Sequence, residues 1–150
     1  MSPQALVYIQ VEAYEGLTRL KQIILNLKKF LKIEKASSAY KRKKSGEINK
    51  EYLEIVLQVS GRANGLEYFE ITKVAGVELL TVEGELRVDP ELTLPNPKLQ
   101  LDAFVLHLAA ECAPYWEHRV RKKSLLELDQ ESVVEEPVEF LTQGQALINL

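Results

Sequence analysis

One cysteine, one tryptophan, one methionine and two histidines are all that this chain of 150 residues holds of those types. A lone Cys112 excludes an intrachain disulfide and any zinc site built on paired cysteines. It sits in LHLAAECAPYW, an apolar stretch with no clustered His or Cys, and reads as a small core residue rather than a reactive thiol. His107 and His118 stand too far apart, and too short of neighbouring ligands, to suggest a metal. No run reaches the roughly 18 apolar residues that a membrane span needs. The start, MSPQALVYIQV, has neither basic residues nor a long apolar core, so no secretory signal is expected and the expected compartment is the cytoplasm. There is no P-loop, no GxGxxG and no GxSxG, so none of those phosphate-binding or nucleophile motifs is available. Net charge is −3, which excludes a whole-surface attraction to nucleic acid or to anionic membrane.

What is present is ordinary for a folded domain. The apolar fraction is 46% and the charged fraction 27%. A chain of this length buries about 70% of its unfolded surface and needs no staple. We expect a main domain over 1–126 and an acidic extension over 127–150 packed on it. Charge is unevenly placed. Lys41, Arg42, Lys43 and Lys44 form a basic run, the candidate phosphate contacts, while Glu127 to Glu139 is acidic.

Hydrophobic periodicity outlines the elements. Ala5 to Val11 reads as a buried strand. Leu17, Leu20, Ile23, Ile24, Leu27, Phe30 and Leu31 fall at helical spacing, with lysines on the opposite side. Ile33 to Tyr40 reads as a strand, followed by a turn at Ser45-Gly46. Leu53, Ile55, Leu57 and Val59 alternate as one face of a strand. Leu66 to Ala75 fits a short helix or a strand equally well. VELLTVEGELRVD reads as a hairpin around Glu83-Gly84-Glu85, and a helix is expected from Leu101 to Glu111. This order predicts an α+β fold: a ferredoxin-like sandwich, with an antiparallel sheet, helices on one face and a shortened second crossover.

Leu92 to Trp116 reads LTLPNPKLQLDAFVLHLAAECAPYW. It resembles the stretch LTLPHPRLHERAFVLxPLAEIAPxW of the 6-hydroxymethyl-7,8-dihydropterin pyrophosphokinase family. Two shorter segments agree in order. Ser37-Ser38-Ala39-Tyr40 matches an SSxY stretch, and Tyr52-Leu53-Glu54 matches a YLN strand. VYIQVEAYEG lies where the family has its first strand and glycine loop, so the resemblance covers about 5–120.

The resemblance implies ATP and Mg²⁺ as cofactors and a reduced pterin as substrate, with pyrophosphate passing from ATP to the pterin hydroxymethyl group. It places ligand binding at Tyr52, Glu54 and Phe104, weak catalytic equivalents at Asn96 and Lys98, and a weak metal equivalent at Glu78. The pattern departs from the family at decisive places. The two magnesium aspartates correspond to Val77 and Leu79, flanking Glu78. The histidine of the HP pair is Asn96, the arginine after it is Lys98, and a later arginine is Asp102. The pterin-reading asparagine is Glu54, and only 22 residues separate Glu54 from Val77, too few for the family's nucleotide lid. The expectation is a divergent pyrophosphokinase with catalysis weakened or lost. The alternative is a non-catalytic domain of the same fold that binds a pterin, a nucleotide or a protein. A homodimer through a sheet edge is a further option.

Overall fold

The computed structural model describes residues 2–44 and 50–149. The turn expected at Ser45-Gly46 lies outside them. Chain order is β1 (Ala5–Glu12), α1 (Gly16–Leu27), β2 (Lys32–Ala36), β3 (Ala39–Lys43), β4 (Glu51–Ser60), α2 (Gly65–Thr72) and β5 (Val77–Val82). There follow β6 (Arg87–Val88), β7 (Thr93–Leu94), α3 (Lys98–Leu101), α4 (Ala103–Cys112), β8 (Glu117–His118), β9 (Lys123–Ser124), α5 (Leu125–Gln130), β10 (Val138–Thr142) and α6 (Gly144–Ile148). The main sheet is six-stranded, in the order β5-β1-β4-β3-β10, with β2 also paired to β4; each of these pairs is antiparallel. With β2 and β3 counted as one interrupted strand along β4, the first seven elements trace the βαββαβ path of a ferredoxin-like core, and the second crossover carries only the 8-residue α2.

Alternation along β1 explains the layers. Ala5, Val7, Ile9 and Val11 point to the face covered by α1, where Leu20, Ile23, Ile24 and Leu27 meet them. Leu6 and Tyr8 point to the other face, which is covered by α4 and α5 through Phe104, Val105, Leu108, Leu125 and Leu128. The expectation of helices on one face is therefore corrected. α1, α2 and α6 lie on one side, α4 and α5 on the other, and the Ala5–Ile9 run of β1 has no charged residue because both of its faces are buried.

Other local differences have local causes. The strand expected over Ile33 to Tyr40 is two strands, because the Ser37 hydroxyl accepts from the Val56 N–H at 2.9 Å and substitutes for a backbone acceptor. Of the 66–75 segment, the residues through Thr72 are helical and the rest turn into β5. Asn64 caps the helix by accepting from the Glu67 N–H at 3.0 Å, and Tyr68 and Thr72 share its buried side. The hairpin expected around Gly84 does not form. After that turn β6 pairs with β7 instead, since the outer side of β5 is taken by the Asn96 N–H, which donates to the Leu80 carbonyl at 2.7 Å. The helix after Gly16 ends at Leu27, leaving Phe30 52% exposed. The residues after Leu126 complete α5, add β10 to the main sheet and add α6 to the α1 side, so a boundary at 126/127 would cut through α5.

Gly76 has φ +84°, and a Cβ there would lie 2.7 Å from the Gln10 carbonyl oxygen. Gly76→Ala should therefore destabilise the fold by about 2–4 kcal/mol in urea unfolding, combining left-handed strain with a backbone clash. A loss below about 0.5 kcal/mol would mean the turn relaxes freely.

Candidate functional site

Strand alternation splits the basic run between the two sides of the sheet. Lys41 lies opposite Leu53 of the α1 face, whereas Arg42 lies opposite Tyr52 on the α4 face. Lys41 is held by Glu139 at 3.1 Å and Glu51 at 3.9 Å. Lys43 is exposed. Lys44 sits over the Tyr52 ring, 5.4 Å from its centroid. The four cations do not converge on one point, as a phosphate clamp would require.

Arg42 is buried, with its side chain 1% exposed. Its Nε donates to Glu54 Oε2 and its Nη2 to Glu54 Oε1, both at 2.7 Å. Nη1 and Nη2 also donate to the two oxygens of Asp102, at 2.8 and 3.0 Å. Four of the five guanidinium N–H groups are thereby used, and Glu136 lies 3.7 Å from Nη1. The guanidinium carbon stands 5.0 Å from the Phe104 ring centroid. Burial alone would lower the pKa of Arg42, but the bonds to Asp102 and Glu54 outweigh it and hold the group above its ordinary value. Asp102 is likewise pushed up by burial and pulled down further by Arg42, ending below the usual carboxylate range.

Each partner is placed by its own element. Glu54 faces Tyr40 and Gln10 across β4, completely buried. Asp102 is the N-cap of α4 and accepts from the Phe104 and Val105 N–H groups at 3.1 and 3.2 Å. One carboxylate thus starts the helix and closes the ion pair. Phe104, one position into that helix, is 1% exposed and meets Tyr40 edge-on at 5.3 Å. Tyr8 donates its hydroxyl to Glu54. Burial first, and then the Glu54 charge, push that phenol far above its ordinary pKa, so it serves as a fixed donor.

A second group joins through Tyr8. Lys98 lies over its ring at 5.2 Å and pairs with Glu78 at 3.1 Å. Asn96 acts as a local staple. Its Nδ2 donates to the Leu79 carbonyl at 3.1 Å, and its Oδ1 accepts from the Lys98 N–H at 2.9 Å. Asn96 and Glu78 also line a cleft of about 400 Å³ beside β5, with Phe69, Leu92 and Thr93.

Arg42, Glu54 and Phe104 therefore meet in one cluster, and Lys98, Glu78 and Asn96 in an adjoining one. Tyr8, Asp102 and Glu136 belong to the first cluster and were not singled out from sequence as site residues. A tyrosine inside a buried strand needs a polar partner, and an aspartate just before a helix is a cap; both signals were there to be read. Cys112 is a buried donor to the Val56 carbonyl at 3.2 Å, and burial raises its thiol pKa to about 12, which removes it as a nucleophile.

The donor set does not fit paired Mg²⁺ ions. No group of three or more His, Cys, Asp or Glu side chains among the described residues could hold a metal. The two facing carboxylates, Glu54 and Asp102, are both committed to Arg42, and Glu78 is committed to Lys98. No helix among the described residues is long and apolar enough to cross a membrane. No family model matches the chain, and no curated protein matches it.

Proposed function

We propose that this chain is a non-catalytic relative of the dihydropterin pyrophosphokinases, in which an internal arginine fills the substrate slot and an interaction role remains. The resemblance over 92–116 and the βαββαβ core support the kinship. One observation carries the loss of catalysis: Arg42 lies over Phe104 and forks onto Glu54. A guanidinium and the amino-pyrimidine edge of a pterin offer the same thing to a protein, a flat face for an aromatic ring and paired N–H donors for a carboxylate. The side chain thus makes the contacts that a pterin would need and occupies Glu54 and Asp102, while Lys98 occupies Glu78, the carboxylate at the family's metal positions.

Titration calorimetry with a non-hydrolysable ATP and Mg²⁺ tests the reading. The expected result is no metal-dependent heat up to millimolar nucleotide. Micromolar, metal-dependent binding would overturn it. A second reading, small-ligand binding without chemistry, draws on the cleft of about 400 Å³ at Asn96 and Glu78. Binding of a reduced pterin that Asn96→Ala abolishes would favour that one instead.

A further inference from the structure

The main sheet ends in β5 on one side and β10 on the other, and the two edges are treated differently. The β5 edge is covered. The Asn96 N–H donates to the Leu80 carbonyl at 2.7 Å and its side chain to the Leu79 carbonyl at 3.1 Å. β10 has no strand beyond it among the described residues, and its Val138 and Phe140 are 41% and 51% exposed. An uncovered edge presents a row of main-chain donors and acceptors ready to pair with another strand.

We propose that two copies of this chain pair through β10, antiparallel, about a two-fold axis at Phe140. This rests on the edge, its rings and its charges, and stands whether or not the family reading holds. Closure is the first argument. With β5 covered and α6 packed against β2, β10 is the edge left open to a strand neighbour, and two chains joined through it leave only covered edges outside. The product is a closed pair rather than a fibre.

The second argument is the line of rings leading to that edge. Phe104, Tyr40 and Phe140 meet edge-on in succession, with centroids 5.3 and 5.9 Å apart. A two-fold axis at Phe140 sets that ring beside its own copy, a favourable cross-strand pair, and continues the line into the second molecule.

The third argument is charge, which selects the register. With Phe140 opposite itself, Glu139 faces Leu141 of the second copy, and Val138 faces Thr142. Sliding to the register that sets Glu139 opposite itself would bring like charges face to face, a destabilising arrangement. Within its own chain Glu139 is already neutralised by Lys41 at 3.1 Å, and Glu136 lies 3.7 Å from Arg42. The acidic residues of this segment therefore do not oppose a two-fold pairing centred on Phe140. A 5-residue strand buries little surface, so the pair should be weak and reversible, with a Kd in roughly the micromolar range or above.

Sedimentation equilibrium on the full chain, from micromolar to millimolar, should show a reversible monomer–dimer equilibrium. Phe140→Lys and, separately, Val138→Lys should each weaken it about tenfold or more, while the far-ultraviolet circular dichroism stays unchanged. Using both variants keeps the test sound should either one disturb Tyr40. Phe140→Cys should give a disulfide-linked dimer on mild oxidation, since opposed Cβ atoms lie about 4.5–5.5 Å apart across such a pair. Val133→Cys, 74% exposed but outside the strand, should not. A chain that stays monomeric at millimolar concentration overturns the proposal. So does a dimer that both lysine variants leave intact, or one in which Phe140→Cys fails to cross-link.

Discussion

Arg42→Ala should cost the fold about 3–5 kcal/mol, because it strands a buried carboxylate and a half-buried one that share one cation. Glu54 is completely buried and cannot recover its hydration without opening the sheet, while Asp102, 20% exposed in its side chain, recovers only part of it. The lost packing of the guanidinium on Phe104 adds to the effect. Two controls separate charge from volume. Adding Glu54→Gln to the variant should recover a large part of the loss, since one stranded charge disappears. Arg42→Met should stay well below the parent, because shape is kept and charge is not. Chemical denaturation followed by circular dichroism would measure all three. A loss under about 1 kcal/mol for Arg42→Ala would show that the cluster is not the stabilising element described.

The pH dependence of that loss has a definite sign. Asp102 has a folded pKa below its unfolded value in the parent. Its contribution is fully present above the unfolded carboxylate range and disappears as pH falls through the folded pKa. In Arg42→Ala the Asp102 carboxylate takes up a proton more readily than in the parent, since the cation that pulled its pKa down is gone while its burial remains. The gap between parent and variant should therefore narrow on acidification. A gap that widens toward acid would contradict the assignment.

Ending the chain at Leu126 should abolish cooperative folding. The removed residues include Leu128, Leu147 and Ile148, which are 4%, 2% and 7% exposed in the full chain. Truncating a single buried aliphatic to alanine typically costs about 2–5 kcal/mol, and domains of this size hold only about 5–15 kcal/mol in total. The same cut takes β10 from β3, Glu136 from beside Arg42, and the Ile148 carbonyl from Lys28 Nζ, which donates to it at 2.7 Å. It also cuts the capping box of Ser124 and Glu127 that starts α5. A thermal melt of the shortened chain should show no sigmoidal transition, and its amide spectrum should be poorly dispersed. A cooperative transition within about 2 kcal/mol of the full chain would show that 127–150 is an appendage after all.

These two predictions mark where reading the sequence succeeded and where it stopped. α1 was legible because Leu20, Ile23, Ile24 and Leu27 repeat at helical spacing against one neighbouring face. β1 and β4 were legible because apolar runs of strand length have few other uses in a domain this small. The 66–75 segment was not, since its apolar residues fit both periods; the Asn64 cap and the pocket that takes Tyr68 settled it. The 77–89 hairpin was misread because its turn chemistry is genuine, yet the pairing edge of β5 goes to Asn96.

The site shows the same division. Arg42 stood out in sequence only as one of four consecutive cations, and a basic run is most simply read as pointing into solvent. Alternation along β3 turns every second side chain across the sheet, so one member of the run faces inward, but nothing local says which one. Composition, the absence of a disulfide framework, the α+β class and the main strands follow from residue type and spacing, which are local properties of the chain. That Arg42 is buried on Phe104, that Glu54 and Asp102 answer it from 12 and 60 residues away, and that the last residues complete the sheet were decided by tertiary structure alone. The reason is physical: a buried charge is tolerable only where its partners converge in space, and convergence over such separations is a property of the packed sheet and helices rather than of any segment.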